Sequence, residues 1–219
     1  SNFAMLIKNL VRARGLVRLG GGALLFGTGM AFPWSQFRTL PLASANMVED
    51  LELGLHLARS GITVGLEDAA LVTSPAASVS SSRSQRSRWE HGFLDMARRQ
   101  AWPLLAEGVR TRSRHLVVLG AHFLVPPLAL LMFAALAALA LSGLLGALSG
   151  NFGPALCLGG LLAVVALLLA AAWYREARAL LPWTALLRAP LYMLWKIPIY
   201  LAFFTRRRTG WQRTGRDPP

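Results

Sequence analysis

The chain is poor in cysteine, in acids and, over long stretches, in charge of any kind. Its single cysteine, Cys157, sits inside an apolar run, which excludes a disulfide framework and a thiolate metal site. Only ten Asp and Glu stand against 23 Lys and Arg, and no aspartate precedes Asp50. Charged residues make up 15% of the 219 residues and hydrophobic ones 54%, a balance that a single soluble domain rarely shows and a membrane portion explains.

The charge that is present is mostly arginine, and the net charge is +13. Eight arginines fall between Arg83 and Arg114. Such a balance suits an anionic partner: nucleic acid, acidic lipid headgroups or a nucleotide diphosphate. The cluster abuts an apolar tract instead of alternating with aromatics, which favours lipid and diphosphate and speaks against nucleic acid. Arg98, Arg99, Arg110, Arg112 and Arg114 are expected on headgroups.

The N-terminal part alternates short elements. Phe3, Leu6, Ile7 and Leu10 have helical spacing, with Gly15 expected to end the helix. Arg12, Arg14 and Arg18, the apolar Gly20 to Phe32 and Ala43-Ser44-Ala45 loosely imitate a signal peptide, but five glycines interrupt the apolar part. Ala23 to Phe26 is expected as a buried strand leading into the turn Gly27-Thr28-Gly29, where backbone can approach a ligand. Pro33 to Leu40 suits a short helix or loop. Asn46 would cap a helix from Met47 to Ser60, with Leu51, Leu55 and Ala58 inward and Gly61 as its stop. Glu52 and His56 are expected to be solvated or structural. Ile62 to Leu66 and Ala70 to Thr73 are expected as strands, and Ser74 to Ser84 as a loop before a helix running to about Gln100.

On that helix Gln85, Arg88, Trp89 and Gly92 recur at i, i+3, i+4 and i+7, so an amide, a guanidinium and an indole share one face. Lipid anchoring accounts for the arginine and tryptophan but not for Gln85 and a small Gly92 on the same stripe. Acids at the start of the preceding helix, Glu49 and Asp50, have the ordinary reading of complementing a helix dipole.

Leu116 to Ser149 is a 34-residue tract without a charged side chain. It is expected as one long or tilted span bent near Pro126-Pro127, since a straight span needs only ~20 residues. Pro154 to Tyr174 is a second span. Arginines flank both outer ends and none lies in the connection, so the flanks are expected on the cytosolic side. Ala189 to Phe204 is short for a span, and Arg206-Arg207-Arg208 follow it; an interfacial or re-entrant helix is expected.

Glu49-Asp50 opening one helix, Gln85-x-x-Arg88-Trp89 on the next, and membrane spans after them resemble the membrane-embedded family 2 glycosyltransferases, the group of the cellulose, chitin and hyaluronan synthases. Gly27-Thr28-Gly29-Met30 is similar to the acceptor-side segment of that family, and Trp211-x-Arg213-Thr214-x-x-Asp217 to a C-terminal signature. The resemblance implies the C-terminal α/β part of a GT-A-type domain over residues 1–114 with interfacial helices, two transmembrane helices over 115–175, and an interfacial helix and basic tail over 176–219. It implies a multi-pass protein of the cell membrane with its catalytic part in the cytosol. The activity implied is inverting transfer from a nucleotide-sugar, a UDP-sugar, to a polysaccharide or lipid-linked acceptor. Asp50 would be the base; Glu49, Gln85, Arg88, Trp89, Gly27, Thr28 and Gly29 would bind donor diphosphate and acceptor. The Mg²⁺ or Mn²⁺ of the family has no ligands here, so they are expected upstream, and the chain is expected to be an incomplete, inactive enzyme on its own. The alternative is a noncatalytic two-span membrane protein whose arginine-rich helix docks on anionic lipid or a partner.

Overall fold

The computed structural model describes residues 2–27, 29–41, 48–70, 72 and 79–205. Thr28, Asn46, the Arg206 to Arg208 run, Trp211, Arg213, Thr214 and Asp217 lie outside the described residues. The helices are α1 (Asn2–Leu6), a π-helical turn (Ile7–Val11), α2 (Arg12–Arg18), α3 (Trp34–Phe37), α4 (Glu49–Arg59), α5 (Val79–Arg110), α6 (Arg114–Leu124), α7 (Leu128–Ser149), α8 (Gly153–Ala172), a second π-helical turn (Trp173–Ala177), α9 (Thr184–Leu187) and α10 (Ala189–Thr205). The chain divides into two compact units.

The first unit comprises Lys8–Val125 and Pro198–Pro219. Its core is assembled from helical stripes: Leu51, Leu55 and Ala58 of α4, Met96, Ala101 and Leu104 of α5, and Leu116, Leu119 and Phe123 of α6. The α4 and α6 sets follow the three- and four-residue spacing of a helix with one buried face, and on α5 the same spacing runs through Ala97, packed against the core, to Ala101 and Leu104. Gly61, at φ +76°, ends α4 as expected: its N–H bonds to the Ala58 carbonyl and that of Ile62 to Leu57.

α5 and α6 form a hairpin. The turn places Arg112 at φ +57°, and Ser113 caps α6 by accepting the Leu116 N–H. The hairpin closes because its contact residues are small. A Cβ on Gly120 would stand 2.8 Å from the backbone nitrogen of Leu105 and 3.0 Å from the Ala101 carbonyl. Gly120→Ala is therefore expected to lower stability by about 1–3 kcal/mol despite its better helix propensity. Gly143→Ala, where the new atom meets nothing within 4 Å, is expected not to. Denaturant melts of the two variants provide the comparison.

The expected α/β architecture is not found: among the described residues there is no strand. Residues 23–26 and 62–66 are extended, yet a single backbone bond joins them, Ala23 N–H to the Val64 carbonyl at 2.8 Å. Gly22 at φ +65° and Gly27 at φ +73° turn the backbone out of the β region at either end, so no ladder propagates. Of the expected strand Ala70 to Thr73, two residues lie outside the described set. The N-terminal helix also departs from expectation. It passes through Gly15 to Arg18, because Ala13 and Leu16 bury on that turn. α5 begins at Val79, inside the stretch expected as loop, and runs 32 residues through Pro103.

The second unit comprises Ser1–Ile7 and Pro126–Ile197. The uncharged tract expected as one long helix is two. Pro126 and Pro127 remove successive N–H donors and force Val125 into extended geometry, so α6 ends before α7 begins. α7 and α8 are antiparallel in sequence around Gly150, which caps α7 in the left-handed conformation. The Asn151 side chain accepts the Gly153 N–H, and the Phe152 ring lies against Gly146. Both helices are long and apolar enough to cross a membrane, and almost none of their surface is buried in protein. At 22 residues α7 is about 33 Å long, against ~30 Å of bilayer hydrocarbon. After α8, the Trp173 indole N–H donates to the Leu181 carbonyl and Arg178 stacks on Tyr174.

Candidate functional site

The first unit contains every described residue that the sequence offered as a candidate for catalysis or binding. α4 opens with Glu49 and Asp50 just after Val48, which is buried. α5 carries Gln85, Arg88 and Trp89, all except the indole half-buried. At this end the two helices meet at Gly92, while at the other end Arg59 of α4 donates to Glu107 and Gln100 of α5. A Cβ on Gly92 would stand 2.5 Å from Val48 Cγ1, so only a glycine lets α5 come this close to the start of α4. Gly92 thus belongs to the stripe for packing, not for ligand contact.

Asp50 is half-buried, and its Oδ1 accepts the Leu51 N–H at 2.8 Å. Its other oxygen faces the glycine turn: a Cβ on Gly27 would lie 3.2 Å from Oδ2. The turn's left-handed φ and missing side chain are both needed for backbone to come this near the carboxylate. Burial pushes the Asp50 carboxyl above its usual range; the Leu51 N–H acts against this, Glu49 adds to it, and Lys8 again opposes it. A carboxylate moved upward in this way is a better proton acceptor at neutral pH.

Two side chains that the sequence did not advertise complete the cluster. Phe26 directly precedes Gly27. The Lys8 ammonium sits 5.6 Å from the centre of the Phe26 ring and 5.9 Å from that of Trp89. Trp89 is 36% exposed, its indole shared between this cation and open space. Asp50, Gly27, Phe26, Lys8 and Trp89 therefore form one chain of neighbours. Gly29 and Glu49 are exposed, and Gly29 packs beside Val72. The sequence signal for Lys8 was hidden by the π-helical turn that carries it, since helical spacing from Phe3 does not foretell an inserted residue.

Behind the site, His122 of α6 meets the rings of Phe93 and Phe123 edge to face. Burial, with Arg12 and Lys8 adding to it, pushes its pKa down to about 3, so it is a neutral packing group and not a proton carrier. On the flank of α5, residues next to Trp89 hold the end of α10. His91 Nε2–H donates to the Ile199 carbonyl at 2.8 Å, and the Tyr200 hydroxyl donates to Glu90 at 3.0 Å.

Among the described residues, no three His, Cys, Asp or Glu side chains group as a metal site would require. A half-buried carboxylate thus stands against a glycine turn, with an indole, an ammonium and a guanidinium-bearing helix in the same cluster. The chain that carries it also carries two helices of bilayer length. Residues 8–204 match the family model described as Glycosyl transferase family group 2, and the chain belongs to that family. Membership implies glycosyl transfer from a nucleotide sugar to an acceptor. No curated protein and no solved structure gives a significant match.

Proposed function

We propose that this site carries out inverting transfer of a sugar from a UDP-sugar to a hydroxyl of a polysaccharide or lipid-linked acceptor, at the cytosolic face of the membrane crossed by α7 and α8. The observation that supports it most is the contact chain from Asp50 through Gly27 and Phe26 to Lys8 and Trp89. It brings the motif carboxylate and the motif indole into one cluster from different helices.

In this reading the acceptor sugar lies on the free face of Trp89, where the apolar side of a pyranose can stack. Asp50 takes the proton of the attacking hydroxyl. As that oxygen bonds to the anomeric carbon, the bond from that carbon to the diphosphate oxygen breaks, and the nucleoside diphosphate leaves with the electron pair. Arg88, with Gln85 one turn before it, receives the charge that develops on the diphosphate. The backbone of Gly27 and Gly29, with Thr28, lines the acceptor side, and Glu49 borders it. The arginines of α5 and α6 suit anionic lipid headgroups. Mg²⁺ or Mn²⁺ would assist departure of a diphosphate, but the described residues offer no donor set for it and no step here runs through it.

Membranes bearing the protein, supplied with radiolabelled UDP-sugars and scored for label in polymer or lipid, test the activity. Trp89→Ala is expected to lower kcat/KM for the acceptor roughly 10- to 100-fold, the loss of one stacked ring and its positioning. Donor affinity is expected to change less than about threefold. Equal damage to donor and acceptor would move Trp89 out of the acceptor site.

A further inference from the structure

Trp89 opens a turn of α5 in which each of the next three residues is held. Successive residues of an α-helix project about 100° apart, so Trp89, Glu90, His91 and Gly92 together cover the whole circumference of α5. Glu90 accepts the Tyr200 hydroxyl at 3.0 Å. His91, only 3% exposed, donates from Nε2 to the Ile199 carbonyl at 2.8 Å, and its ring centre lies 5.4 Å from that of Phe203. Gly92 has Val48 close against its backbone. The remaining direction carries the indole, the most exposed of the four.

Two of these three restraints come from one short piece of chain, the end of α10. α10 runs through Pro198, where the chain divides: residues up to Ile197 belong to the second unit and those from Pro198 onward to the first. Proline has no N–H to give to the carbonyl four residues back, which loosens a helix at that point. Beyond it Ile199 and Tyr200 are both buried, so this last stretch is anchored in the first unit by packing as well as by hydrogen bonds. A carbonyl can only accept, so the bond to Ile199 also fixes the His91 proton on Nε2.

We propose that His91 and Tyr200 are positioning residues for sugar transfer: as a clasp between α5 and the end of α10, they keep α5 from rolling about its axis and so hold the Trp89 indole with its open face toward the acceptor. This rests on the reading of Trp89 as the acceptor platform. Val48 bears on one side of α5 and by itself leaves the helix able to pivot on that contact. The two hydrogen bonds resist from the other sides. A roll of about 10° moves a group at the ~6 Å outer radius of a helix by about 1 Å, and a misplacement of that size costs roughly 100-fold in rate.

The test compares His91→Leu, which keeps bulk and removes the donor, His91→Gln, which can return an N–H to the Ile199 carbonyl, and Tyr200→Phe, which deletes one oxygen and leaves the ring in place. The full protein in membranes is assayed for kcat/KM of the acceptor and for nucleotide-sugar binding. The same proteins, labelled with 5-fluorotryptophan and held in detergent, are followed by ¹⁹F NMR. The Trp89 signal is assigned by its disappearance in Trp89→Phe. That of Trp173, whose N–H donates to the Leu181 carbonyl in the second unit, serves as the control and is assigned in the same way. His91→Leu and Tyr200→Phe are expected to shift and broaden the Trp89 signal, leave that of Trp173 in place, and lower kcat/KM for the acceptor roughly 10- to 100-fold with donor affinity changed less than about threefold. His91→Gln is expected to restore the signal and most of the activity. Should His91→Leu fail to fold, Tyr200→Phe and His91→Gln carry the same comparison. An unmoved Trp89 signal in Tyr200→Phe, or Trp89 and Trp173 signals that move alike, overturns the proposal and makes the clasp a brace for the fold alone. A displaced Trp89 signal with transfer unimpaired overturns it too, provided that Trp89→Ala loses acceptor use. If Trp89→Ala keeps its kcat/KM while the clasp variants still displace the indole signal, the acceptor reading of Trp89 fails and the hold of the clasp on the indole stands.

Discussion

Asp50→Asn is expected to reduce sugar transfer about 10³-fold, in the range that a positioned general base contributes, while nucleotide-sugar binding stays within about twofold of the parent. The amide keeps the shape of the side chain and an oxygen to accept the Leu51 N–H, but it cannot take a proton from an attacking hydroxyl. The same variant carries an expectation for stability that separates a catalytic role from a structural one. Burial raises the Asp50 carboxyl's pKa in the folded state, so the ionised form is the one the fold disfavours. The cost of holding it is full at pH values above the folded pKa, shrinks as the pH falls through it, and is gone below the ordinary carboxylate pKa. Removing the charge is therefore expected to leave the protein at least as stable at neutral pH, the usual relation between a functional residue and the fold that bears it. Thermal melts and equilibrium binding of nucleotide-sugar are the two measurements. A loss of binding along with transfer would reassign Asp50 to substrate binding, and a lowered melting temperature would reassign it to the fold.

The parts of this arrangement that were legible in the sequence are those set by spacing within one helix. The inward face of α4, Leu51, Leu55 and Ala58, follows from a repeat of three and four, and its stop at Gly61 from a residue that tolerates positive φ. α7 and α8 follow from uninterrupted apolar length. The expected strands failed because four or five apolar residues between glycines look the same whether or not a neighbour pairs with them. Pairing is a tertiary fact, and here it stops at one bond between Ala23 and Val64. The break between α6 and α7 was visible as Pro126-Pro127, but two adjacent prolines end a helix where a bend was expected. Of the site, Asp50 and Trp89 could be named from their motifs, whereas Lys8 and Phe26 enter only through a π-helical turn and an extended segment whose contacts no periodicity encodes. Gly92 was identified on the correct stripe for the wrong reason. It looked like room for a ligand, and it is room for Val48.

That last contact makes the sharpest demand on the structure. A methyl group on Gly92 would stand 2.5 Å from Val48 Cγ1, well inside the ~3.5–4.0 Å at which carbon atoms rest. Judged by helix propensity alone, Gly92→Ala in the middle of α5 should stabilise the protein by up to about 1 kcal/mol. Packing predicts the reverse, a loss of about 1–3 kcal/mol, because Val48 is only 5% exposed and has nowhere to turn. Relief comes from shifting the start of α4, and the next two residues along are Glu49 and Asp50. A displacement near 1 Å at a reacting group is enough to cost roughly 100-fold in rate, so transfer is expected to fall by about that factor while the rest of the protein folds. Val48→Ala removes the two methyl groups that the new side chain meets. The double variant Val48→Ala/Gly92→Ala is accordingly expected to regain most of the lost activity and stability, with a coupling of about 0.5–3 kcal/mol between the sites. A full double-mutant cycle in melts and in transfer rate measures it. Strict additivity of the two substitutions would mean that α5 does not set the position of α4 through this contact, and the placement of Asp50 beside the indole-bearing helix would then need another cause.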